Sequence, residues 1–204
     1  MESQELALIM VSSAPERKES DGRVDSAETV IRARAGDRAA FDELILGHQS
    51  KVLMTAWRLL GSKEDAQDAA QEVFLRLYRH LHRVDPKRPL APWLYRVTVN
   101  VCRDLHRRRQ ARQGPVAEEI NPGTLARDPA GEFTRAEQKR MIELALKTLT
   151  EKERAAVVLR DIEGLSTAEV ADALGTRQAT VRSQISLARV KIRKFIDRLE
   201  KKHL

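Results

Sequence analysis

Apolar residues recur along this chain at steps of three and four, and no stretch alternates with the two-residue period of a half-buried strand. The pattern predicts helices throughout. A short one runs from about Ser26 to Ala35 and stops at Gly36. Phe41, Leu44, Ile45, Val52, Leu53, Ala56, Trp57 and Leu60 form one stripe on the next, which Gly61 closes. Ser62, with Asp65 three residues on, resembles a capping box for a third helix. Its inward stripe is Ala66, Ala70, Val73, Leu77 and Leu81. Pro86 and Pro89 break the chain, and a fourth helix from near Ala91 turns Leu94, Val97, Val101 and Leu105 inward. Four amphipathic helices over residues 26–112 predict a compact bundle.

The pattern lapses twice. Residues 1–25 are polar and aperiodic after Val11, and they read as a flexible tail with an apolar spot at Leu6 to Val11. Residues 113–131 hold Gly114, Pro115, Pro122, Gly123, Pro129 and Gly131 with no surviving stripe, so they read as a flexible linker. Helical periodicity resumes near Glu132 with Met141, Leu144, Ala145 and Leu149. Thr150 and Glu153 form a capping box for a helix carrying Val157 and Val158, which Gly164 ends. Ser166 and Glu169 form another for a short helix over Thr167 to Leu174, and after Gly175 a long helix runs from about Arg177 to Leu199. The predicted fold class is therefore all-α: two small helical domains, residues 26–112 and 132–204, joined by the linker.

A short capped helix, a Gly turn and a long basic helix make a helix-turn-helix, which places side chains in a DNA major groove. On the long helix Val181, Ile185, Ala188, Ile192, Phe195 and Leu199 form the inward stripe. Roughly 100° or more away by the helical repeat lie Arg182, Ser183, Ser186 and Arg193. Arg can take guanine bidentately, and Ser can donate or accept. Gln178 could pair with adenine or a phosphate, while Arg177, Arg189, Lys191 and Lys194 suit phosphates, which position without specifying sequence.

Charge extends the nucleic-acid reading to the first domain. The chain has 204 residues, 37 Lys+Arg against 30 Asp+Glu, net charge +7 and an isoelectric point near 9.8, which favours a polyanionic partner. Residues 76–112 concentrate eleven Lys or Arg against two Asp. Within them Trp93, Arg96, Asn100, Arg103 and Arg107 are spaced 3, 4, 3 and 4 residues apart and so share one helix face. An aromatic platform, an amide and three cations suit single-stranded nucleic acid, where stacking is worth about 1–3 kcal/mol per base. On the third helix Asp65, Asp68, Gln71 and Glu72 project away from the inward stripe, as either a solvated acidic face or a docking surface for a basic protein.

Other chemistries find little support. The five histidines and Cys102 show no metal-ligand spacing, there is no phosphate-cradling Gly loop, and a single cysteine rules out an internal disulfide framework. No enzyme, cofactor or metal is expected. No apolar run approaches the ~20 residues of a membrane helix, and the start lacks a signal-peptide pattern, so a cytoplasmic protein without membrane insertion is expected.

At this point the residues resemble a family. Asp65-Ala66-Gln67-Asp68-Ala69-Ala70-Gln71-Glu72-Val73-Phe74-Leu75-Arg76-Leu77-Tyr78 is similar to the region 2 helix of bacterial sigma factors. Pro92-Trp93-Leu94-Tyr95-Arg96-Val97-Thr98-Val99-Asn100 resembles their promoter-melting and −10-reading segment, and Leu149 to Lys194 resembles region 4. Two such domains without further regions resemble the extracytoplasmic-function (ECF) group. The resemblance implies an alternative sigma factor that binds core RNA polymerase and directs initiation at specific promoters. Asp65, Asp68, Gln71 and Glu72 would dock on the β′ clamp coiled coil. Asn100, with the loop from about Val84 to Pro92, would capture a flipped −10 base, and Trp93, Arg96, Arg103 and Arg107 would hold the opened strand. Region 4 would sit on the β flap and present Arg177, Gln178, Arg182, Ser183, Ser186 and Arg189 to the −35 DNA. An anti-sigma factor is a further implied partner. The chain departs from the family pattern at Gln184, Ser186 and Leu187, and in the Pro-stiffened loop Asp85-Pro86-Lys87-Arg88-Pro89, which implies unusual promoter preferences.

Reach is compatible with this arrangement. A nineteen-residue linker spans at most about 60–70 Å; two turns of DNA measure about 70 Å, and the facing edges of the two promoter elements lie closer than that. The alternative is a helix-turn-helix regulator that is not a polymerase subunit. It would need a sensor or receiver domain in the first 112 residues, where neither strands nor a ligand pocket is predicted.

Overall fold

The computed structural model describes residues 27–113 and 135–202. Eight α-helices occur among them: Ala27–Arg34 (α1), Arg38–Leu60 (α2), Lys63–His80 (α3), Leu90–Gln113 (α4), Arg135–Lys147 (α5), Glu151–Val157 (α6), Thr167–Leu174 (α7) and Gln178–Lys202 (α8). A 3-10 turn, Leu81–Arg83, follows α3, and a π-helical segment, Val158–Ile162, continues α6. There is no strand among the described residues. They divide into two compact units, one ending at Arg112 and one after it. The tail expected over 1–25 and, Gln113 aside, the linker expected over 113–131 lie outside the described residues.

In the first unit the caps decide where helices start and stop. The Asp37 carboxylate accepts from the Ala40 N–H at 3.2 Å and begins α2, and Arg32 Nε donates to it at 2.9 Å. Gly61 ends α2 in the left-handed region, φ 73°, with its N–H on the Trp57 carbonyl at 2.8 Å. Ser62 Oγ then accepts from the Asp65 N–H at 3.2 Å. The expected box is only half formed; the Asp65 carboxylate accepts from Arg109 Nη1 at 2.9 Å. Leu44, Val52 and Ala56 of α2, Ala66, Ala69, Val73 and Leu77 of α3, and Leu94, Val101 and Cys102 of α4 build one core. Ala69 takes the inward place expected of Ala70, which is half-buried, as are Val97 and Leu105.

In the second unit both expected capping boxes are complete. Glu153 N–H donates to Thr150 Oγ1 at 3.4 Å and Thr150 N–H to Glu153 Oε2 at 2.9 Å. Glu169 N–H donates to Ser166 Oγ at 3.2 Å and Ser166 N–H to Glu169 Oε2 at 2.7 Å. Each satisfies two otherwise orphaned backbone donors. Arg154 closes the end of α5, donating to the carbonyls of Leu146 at 2.9 Å and Leu149 at 3.2 Å. After α6 the helix widens: Glu163 N–H reaches the Val158 carbonyl at 2.9 Å, five residues back. Gly175, φ 62°, turns the chain between α7 and α8. Its N–H bonds the Asp172 carbonyl at 3.2 Å and Thr176 N–H bonds the Ala171 carbonyl at 2.9 Å, a Schellman end that the left-handed residue makes possible.

Candidate nucleic-acid interface

Helix α4 is amphipathic in the manner its sequence implies. Leu90, Leu94, Tyr95, Thr98, Val99, Val101 and Cys102 are buried and occupy about half its circumference by the helical repeat. Thr98 satisfies its buried hydroxyl within the helix, donating to the Leu94 carbonyl at 2.8 Å. The opposite face carries Arg96, Asn100 and Arg107, all exposed, with Arg103 half-buried beside them. Trp93 sits on the same face but is half-buried, packed against the core. The structure thus brings all five expected residues onto one surface. Arg107 Nη2 donates to Asp104 at 2.5 Å, and Asp104 also lies 3.7 Å from Arg76.

On α3 the four acidic-face residues remain on the outer side. Asp68 and Gln71 are exposed, whereas Asp65 and Glu72 are half-buried. Glu72 accepts from Arg76 Nε at 2.8 Å and Asp65 from Arg109. Leu75 and Tyr78 are exposed alongside them, 43% and 70%, and Tyr78 meets Phe41 edge-on with ring centroids 5.4 Å apart. This apolar extension of an acidic face has a sequence signal, two large apolar residues off the inward stripe, that the charge pattern masks.

Helix α8 is anchored by the whole expected stripe: Val181, Ile185, Ala188, Ile192, Phe195 and Leu199 are all buried. Burial of each large member contributes roughly 1.5–3 kcal/mol. Arg182, Ser183 and Ser186 are exposed on the far side, as are Arg177 and Gln178 at the helix entry. Arg182 Nη2 donates to Gln178 Oε1 at 3.3 Å. Gln184 is half-buried, and its Oε1 is shut from solvent without a hydrogen-bond partner.

Two cations expected on phosphates are otherwise engaged. Arg189 Nε and Nη2 donate to the two oxygens of Asp161 at 2.9 and 2.7 Å. The bond to Asp161, set against a smaller cost of burial, raises the Arg189 pKa above its ordinary value. Lys191 Nζ donates to both oxygens of Glu153 at 2.8 and 2.7 Å. Burial alone would raise the Glu153 carboxyl, but the bonds from Lys191 and Thr150 outweigh it and hold the group below the ordinary glutamate value. Among the described residues no set of His, Cys, Asp and Glu is placed to hold a metal ion, and no helix is long and apolar enough to cross a membrane.

Comparison with known proteins decides the family. Residues 30–112 match the Sigma-70 region 2 family and residues 139–192 the Sigma-70 region 4 family. The ECF RNA polymerase sigma factor SigE of Mycolicibacterium smegmatis is 36% identical over 173 residues, which span 82% of this chain and 67% of that protein. The chain belongs to the ECF sigma factor family. The structure of CnrH in complex with the cytosolic domain of CnrY is similar too, with TM-score 0.62 and 29% identity over 85% of this chain and 97% of that one. The Bartonella quintana sigma factor RpoE, solved with the anti-sigma factor NepR, shares the fold at TM-score 0.64 and 19% identity, over 77% of this chain and 96% of that one. In this ECF sigma factor α4 falls within region 2 and α8 runs through and beyond the matched part of region 4.

Proposed function

We propose that this ECF sigma factor binds core RNA polymerase and directs promoter-specific initiation, with its first unit opening the −10 element and its second reading the −35 element. The observation that carries the reading is the pair of basic helices, each with a buried stripe and an outward polar face, in the two matched regions. On α4, Asn100 takes a flipped base, Trp93 supplies a stacking edge, and Arg96, Arg103 and Arg107 follow the strand backbone. On α8, Arg182, Ser183 and Ser186 address base edges, with Arg177 and Gln178 at the groove entrance. The α3 face of Asp65, Asp68, Gln71 and Glu72 docks on the β′ clamp coiled coil, and region 4 on the β flap. The linker spans the two promoter elements.

The protein itself is a non-catalytic subunit acting in the cytoplasm, and the polymerase supplies the chemistry. An anti-sigma factor is its other partner, a reading supported by the complex in which the RpoE relative was solved. A regulator independent of polymerase is disfavoured by the region 2 match over residues 30–112 of the first unit. The test is transcription in vitro with core polymerase on a randomised promoter library. Initiation from a selected pair of elements is expected, and no initiation from any template would refute the proposal.

A further inference from the structure

The carboxylates that hold Arg189 and Lys191 both come from the helix preceding the helix-turn-helix, and both are nearly buried. Asp161 is 12% and Glu153 8% exposed at the side chain. Asp161 grips a guanidinium with two parallel bonds, the geometry that fixes direction as well as distance. Glu153 holds the Lys191 ammonium with both oxygens while one of them also accepts the Thr150 N–H, so its rotamer is fixed by the capping box. Asp161 owes its place to the π-helical segment in which it lies.

The positions of the two cations on α8 are the informative part. The buried stripe defines one direction from the helix axis, and by the helical repeat Arg189 and Lys191 lie roughly 80° to either side of it. One ion pair therefore opposes roll of the helix in one sense and the other opposes roll in the opposite sense. The outward residues Arg182, Ser183 and Ser186 are set by that roll. A turn of about 20° shifts an atom about 6 Å from the axis by about 2 Å, which is enough to break a hydrogen bond to a base edge.

We infer that Asp161 and Glu153 fix the roll of the −35-reading helix through Arg189 and Lys191, so that these two cations are positioning residues and not phosphate ligands. The inference rests on the sigma-factor reading above. It departs from the pattern of charge alone, which puts both Arg189 and Lys191 on phosphates. The requirement is local to the second unit and concerns discrimination between sequences, not attachment to DNA.

The test uses holoenzyme reconstituted from the full chain and core polymerase. The probe is the −35 sequence that the wild-type holoenzyme selects from a randomised library, compared with a scrambled −35 above the same −10 element. Asp161→Asn is expected to lower the ratio of initiation on the two templates by about fivefold to tenfold, to leave initiation on the scrambled template unchanged, and to leave the salt dependence of binding unchanged. Arg189→Gln is expected to lower the ratio equally, and the double variant no further, because all three break one contact. The reversed pair, Asp161→Arg with Arg189→Asp, is expected to recover part of the ratio, which a variant that merely unfolds would not do. The inference is overturned if Arg189→Gln weakens both templates alike and reduces the salt slope by about one while Asp161→Asn keeps full discrimination, since Arg189 is then a phosphate ligand. It is overturned together with the sigma-factor reading if the wild type selects no −35 sequence at all.

Discussion

Helices α4 and α8 are both long, basic and half-exposed, yet they are held in different ways. Two cations of α4 pair with carboxylates that are partly exposed: Arg107 with Asp104, whose side chain is 34% exposed, and Arg109 with Asp65. Pairs of that kind contribute little and exchange partners readily. The pairs of α8 end on carboxylates that are almost dry, and a partner removed from such a site leaves a charge that is costly to keep. The difference fits the two tasks proposed for these helices. A separated strand takes many conformations, so the proposed strand-holding role of α4 is served by cations whose carboxylate partners are partly exposed. Base edges in a duplex groove lie at fixed positions, so the helix that reads them gains from a fixed roll.

The comparison breaks first at the packing beneath α8. Ile192 is buried in the stripe that anchors the helix, and Ile192→Ala should destabilise the second unit by about 2–5 kcal/mol, measured by denaturant unfolding of the full chain. An effect below 1 kcal/mol would mean that the stripe does not hold the helix. Next come the two reading surfaces. Asn100→Ala should cost about 1–3 kcal/mol in capture of a single-stranded −10 oligonucleotide by holoenzyme if its amide pairs with a base edge, with core binding retained. Arg182→Ala should cost a similar 1–3 kcal/mol in −35 recognition if the side chain is bidentate to guanine, and unchanged preference in a promoter-library selection would reject that role.

A smaller effect sharpens the contrast in electrostatics. The Glu153 carboxyl is held below its ordinary value in the folded protein. The stability it contributes is therefore present above the unfolded carboxyl's titration range and is lost as pH falls through the folded value. The second unit should lose stability as solutions are taken below the ordinary glutamate range, and Glu153→Gln should flatten that part of the pH profile while lowering stability at pH 7. An unaltered profile would show that the Lys191 pair is too weak to matter.

What could be read from the sequence was local. The six-residue stripe of α8, the boxes at Thr150–Glu153 and Ser166–Glu169, and the Gly175 turn each follow from residues within a few positions of one another, and each has the expected geometry. What could not be read was long-range. Lys191 meets Glu153 across 38 residues and Arg189 meets Asp161 across 28, and helical periodicity says nothing about which residue of another element lies opposite. The π-helical segment at Val158–Ile162 has no composition of its own, so the placement of Asp161 that it produces was equally hidden. At Ser62 the spacing promised a reciprocal box, but the Asp65 carboxylate meets Arg109, 44 residues on, a contact that periodicity does not reveal.

The division of labour between the two helices is tested most directly by permanganate reactivity of −10 thymines at saturating holoenzyme, with Asn100→Ala and Arg182→Ala compared on one promoter. Arg182→Ala should reach wild-type opening once enough enzyme is added, because its defect is in attachment. Asn100→Ala should level off below wild-type opening at every concentration, because its defect is in strand capture. Equal rescue of both by mass action, or equal failure of both, would contradict the account.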